Sequence, residues 1–87
     1  MVSLREIEDL ITTEVSKCKG TSPGDIRRDV PLVEEIRLHG DDFMALADFL
    51  HRTYKVRPAR NSYVANMTIQ QWAQVIWDER SRQSVQD

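Results

Sequence analysis

Two capping boxes, one near each end of the chain, restrict this sequence to helical architectures more sharply than any other feature. Ser3-Leu4-Arg5-Glu6 and Thr68-Ile69-Gln70-Gln71 each set a hydroxyl three residues ahead of a Glu or Gln. There the hydroxyl accepts from the amide three residues on, and the longer side chain reaches back to the amide of the cap. Apolar residues follow at helical spacing: Leu4, Ile7, Leu10, Ile11 and Val15 behind the first box, Ile69, Trp72, Ala73 and Ile76 behind the second. Gly20 offers the first helix a left-handed cap, and Lys17 and Lys19 sit where cations suit its dipole.

A further helical pattern opens at Gly40-Asp41-Asp42, where either aspartate can cap. Phe43, Leu46, Ala47, Leu50 and Tyr54 form its stripe, and Met44 and Phe49 flank it and widen the apolar face. Pro58 ends or follows this element. Between Gly20 and Gly40, Pro23-Gly24 and Pro31 oppose a continuous helix. Ile26, Val30, Leu32, Val33, Ile36 and Leu38 are nevertheless too apolar for a solvated linker, so this long connection is expected to lie across a helical core. A short helical turn is expected over 59–64, with Tyr63 and Val64 pointing inward. From Ser81 the residues are polar and aperiodic, which implies a domain over 1–80 and a disordered tail over 81–87. No strand-period segment and no repeat stands out, so the class is all-α.

Eighty-seven residues make one domain with a small core. A net charge of −2 makes neither nucleic acid nor an anionic membrane the default partner. The single cysteine, Cys18, cannot form an internal disulfide, and no cysteine cluster suggests a metal site. The chain has no bilayer-length apolar run and no basic-then-apolar leader, which implies a cytoplasmic protein.

The order helix, long anchored loop, helix, short helix, helix resembles an acyl carrier protein. The residues that carry the likeness are Gly20, Asp25-Ile26, Leu32-Val33-Glu34-Glu35-Ile36, Leu50 and Tyr54, then Met67-Thr68-Ile69-Gln70. In the family these segments read much like Gly, Glu-Val, Phe-Val-Glu-Asp-Leu, Leu…Phe and Thr-Thr-Val. The resemblance covers Leu4 to about Trp77. It implies a four-helix acyl-carrier-protein-like bundle with a long helix I–II loop and a short third helix.

The family's decisive motif fails here. Carrier proteins open their second helix with Asp-Ser-Leu, and the serine oxygen takes the phosphopantetheine arm. Counting from the flanks puts Gly40 at that position; matching motif to motif puts Asp42 there. Neither supplies the hydroxyl that the phosphodiester needs, and Ser22 and Ser62 lie outside any Asp-Ser-Leu context. Gly-Asp-Asp here also resembles a group of uncharacterised bacterial acyl-carrier-like proteins without the serine. The resemblance therefore implies a monomeric, non-catalytic protein-binding module without a cofactor. Its contacts would be Asp41, Asp42, Phe43 and Met44, where the family meets its partners. The alternatives are a working carrier with a displaced serine and a small regulatory protein that shares only the topology.

Simpler readings stand beside these. Asp41 and Asp42 can act as helix caps alone; as adjacent residues on a helix they do not face each other and make a poor catalytic pair. His39 reads as a loop residue, because nothing completes a metal set with the two aspartates. His51 is expected to face solvent, Trp72 to fill the core, and Trp77 to cover the bundle edge or stay partly exposed. Arg52, Lys55, Arg57 and Arg60 read as a solvated helix end or as a basic face; in the carrier family the corresponding region is acidic.

Overall fold

A computed structural model describes residues 2–38, 40–58, 63 and 66–85. Among them are three α-helices and no strand: α1 over Leu4–Lys19, α2 over Gly40–Tyr54 and α3 over Ile69–Val85, with a 3-10 turn over Pro23–Asp25. The protein is all-helical. The short helix expected over 59–64 falls outside the described residues except for Tyr63, as does His39.

Both capping boxes sit at helix starts. Ser3 Oγ accepts from the Glu6 amide at 3.1 Å. The second box is reciprocal: Gln71 N donates to Thr68 Oγ1 at 3.1 Å, and Thr68 N donates to Gln71 Oε1 at 2.9 Å. Gly20 stands at φ 68, in the left-handed region. The next amide, Thr21 N, donates to Ser16 O at 3.0 Å and Gly20 N to Lys17 O at 3.3 Å, the paired bonds of a Schellman motif. The helix α3 runs on through Val85, past Ser81, where the apolar periodicity of the sequence stops. One side-chain pair reaches into the extension, Arg82 with Glu79 one turn back.

The helix α1 packs chiefly against α3, the last element of the chain, and less extensively against α2. Ile7, Ile11 and Val15 of α1 meet a core containing Ile69, Trp72, Ala73 and Ile76 of α3, all fully buried. Leu46, Leu50 and Tyr54 close it from α2. Two hydroxyls, Thr12 and Ser16, are buried with them. They donate to Glu8 O at 2.7 Å and Thr13 O at 2.6 Å, which satisfies them within their own helix.

The long connection is stitched to the helices. Leu32 is fully buried, its N–H donating to Met67 O at 3.0 Å, and Gln70 N donates to Arg28 O at 3.2 Å. The Arg28 guanidinium reaches Asp9 at 2.6 Å and Glu8 at 3.3 Å on α1. Leu38 is buried, and Ile26 and Ile36 pack against the core. Val33 departs from expectation: it is 49 % exposed, because the buried anchor is its neighbour Leu32. Met44 and Phe49 do not extend the buried face of α2 either; they are 72 % and 37 % exposed. No helix is long and apolar enough to cross a membrane among the described residues.

Candidate functional site

The four residues expected to meet a partner occupy the first turn of α2 and the residues just behind it, but they do not share one face. Successive side chains on a helix are turned by about 100°, and the structure separates them accordingly. Phe43 is half-buried, its ring stacked on Trp72 with centroids 4.5 Å apart and planes 15° from parallel. Met44 stands on the rim of the same cleft. Asp41 points to solvent. Asp42 lies on a second cleft of ≈ 210 Å³ between α1 and α2, with Glu14, Cys18 and Phe49. There, desolvation first and then the charges of Asp42 and Glu14 push the Cys18 thiol up, so it remains protonated at neutral pH.

The cleft beside Phe43 and Met44 is the more apolar of the two and has a volume of ≈ 470 Å³. Val33, Leu38, Gly40, Tyr63 and Asn66 complete its lining. Four of these five, Val33, Leu38, Tyr63 and Asn66, were not singled out for binding by the sequence, because they come from the loop and from the far side of α2. Gly40 is exposed, and a side-chain carbon added there would meet nothing within 4 Å. The head of α2 therefore has room for a serine at one of the two candidate attachment positions, yet carries none.

An aromatic row supports the floor of this cleft. Trp72, fully buried, meets Phe43 face to face and Tyr63 edge-on at 6.2 Å and 86°. The indole Nε1 is buried without a hydrogen-bond partner among the described residues. Tyr63 in turn lies over His51 at 5.8 Å, and its hydroxyl hydrogen-bonds His51 Nε2. His51 is thus half-buried and tied to the segment after α2, not turned freely to solvent as expected. Sequence pattern could not reveal this pairing, since twelve residues separate the partners. Burial pushes the Tyr63 phenol up.

Burial also lowers His51 below its usual imidazole range, against the opposing charge of Asp48. The folded state therefore disfavours the imidazolium, and on acidification below about 6.5 the unfolded chain takes up the proton first. This contribution to stability is present at neutral pH and is lost as pH falls toward the folded pKa. Urea titrations of wild type and His51→Gln at neutral and mildly acidic pH check it. The advantage of the wild type over the variant should narrow on acidification, and a widening gap would contradict the assignment.

No group of three His, Cys, Asp or Glu side chains is placed to hold a metal ion among the described residues. No family model matches the chain, and no curated protein or solved structure matches it.

Proposed function

We propose that the chain is an acyl-carrier-like domain that has no phosphopantetheine attachment serine, carries out no catalysis, and acts in the cytoplasm as a monomeric protein-interaction module. The observation that carries this reading is the head of α2. Met44 and Val33 leave apolar surface in water around an open cleft floored by Phe43. Exposed apolar side chains gathered at a concave site, with Asp41 beside them, are what a docking surface requires. Gly40 and Asp42, the two positions at which the family's serine could fall, offer no hydroxyl to a phosphodiester. The long stitched loop and the reciprocal cap of α3 are consistent with the family's topology.

Intact mass after incubation with a broad-specificity phosphopantetheinyl transferase and coenzyme A tests the reading. The wild type should show no gain while a control carrier in the same tube is fully modified. Gly40→Ser and Asp42→Ser, treated in parallel, should differ, and the one that gains an arm identifies the register. Stoichiometric modification of the wild type would overturn the proposal in favour of a working carrier with a displaced serine.

A further inference from the structure

The opposite end of α2 is a second recognition surface, built from charge. Arg52, Lys55 and Arg57 line an open groove of ≈ 600 Å³ with Asp48, His51 and the backbone around Val56. All three cations are exposed on a chain whose net charge is −2. Arg52 pairs with Asp48 at 2.8 Å. Lys55 and Arg57 have no ion-pair partner among the described residues.

Cations at a helix C-terminus ordinarily answer the exposed carbonyls there. In α2 other groups meet part of that need. Val56 N donates to His51 O at 3.0 Å, and Arg80 of α3 donates to Tyr54 O at 3.4 Å. The Lys55 and Arg57 charges are left over.

Lys55 also holds the left-handed cap position at φ 56, which glycine takes without strain and which Gly20 takes in α1. The chain thus keeps a strained lysine where a glycine would be easier. Two independent features, a cation without an ion-pair partner among the described residues and a backbone conformation unfavourable to the residue found, fall on Lys55.

We propose that this end of α2 docks an acidic peptide segment of a partner protein, laid along Arg52, Lys55 and Arg57. Three cations give too little counterion release for a useful grip on nucleic acid, which needs about twice as many phosphate contacts or more. The Asp48 carboxylate on the groove wall would also repel a dense polyanion. A peptide with spaced carboxylates avoids Asp48 and exchanges it for its own on Arg52. This surface is separate from the apolar cleft at the head of α2, so either can fail without the other.

The test is fluorescence anisotropy with a labelled peptide of alternating glutamate and glycine at ionic strengths of about 0.02 and 0.15 M, which span weak and physiological screening. Binding should saturate and weaken with salt. Lys55→Gly should weaken it about two- to fivefold, yet raise the thermal midpoint by about 3–6 °C. Combining it with Arg52→Gln and Arg57→Gln should abolish binding, and Met44→Asp, at the other end of the helix, should leave it unchanged. The proposal is overturned by an absence of saturable binding at low salt, or by binding that survives the triple variant. It is equally overturned if a single-stranded oligonucleotide of the same charge binds more tightly than the peptide.

Discussion

Replacing Trp72 by alanine is expected to destabilise the fold by about 3–5 kcal/mol, enough to bring a domain at the low end of the usual range of about 5–15 kcal/mol close to its unfolding threshold. Trp72 is fully buried at the centre of the core, and two other rings depend on it. Phe43 loses its stacking partner, and Tyr63 loses the edge contact that holds it over His51. Trp72→Phe should cost far less. It keeps a ring under Phe43 and removes a buried indole N–H that has no well-aligned acceptor among the described residues, with the Tyr63 hydroxyl its nearest candidate. Urea midpoints of the two variants check both halves. An alanine variant within about 1 kcal/mol of wild type, typical of surface positions, would mean that the ring is not the core's centre.

The second large effect falls in the connection between α1 and α2, where loops usually tolerate change. Leu32→Ala should cost about 2–5 kcal/mol, because its side chain is fully buried and its removal leaves a cavity, while the amide bond to Met67 O that fixes the backbone there is kept. Val33→Ala, one residue on, should cost less than about 0.5 kcal/mol, since that side chain is half in water. The contrast between adjacent residues is the informative quantity. If the two costs were reversed, the loop would be seated one residue out of register.

The parts of the fold legible in sequence were those fixed within a single turn of chain. A capping box needs four residues and a left-handed glycine only its neighbours, so the starts of α1 and α3 and the end of α1 could be read directly. Side-chain burial in α2 was harder. Phe49 lies one position from buried Leu50 and Met44 one position from half-buried Phe43 on a helix whose apolar face is wide, and only the position of α1 and α3 decides which edge stays wet. Thr12 and Ser16 point the other way: they are polar by composition but buried, because each hydroxyl finds a carbonyl within its own helix. The helical run past Ser81 escaped notice because its support is charge pairing, not an apolar stripe. At the candidate site, Phe43 and Met44 were placed by resemblance, whereas Val33, Leu38 and Tyr63 reach the cleft only through the tertiary path of the chain.

The pairing of α1 with α3 has a consequence for synthesis. Ile7, Ile11 and Val15 leave the ribosome well before the helix that chiefly covers them, which carries Trp72 and Ile76 and lies some sixty residues further along the chain. At about 5–20 residues per second, the interval between the two is on the order of several seconds. Throughout it the nascent chain presents an amphipathic helix with its apolar stripe uncovered. The core is completed only when α3 arrives, and until then the apolar stripe of α1 is exposed to chaperones.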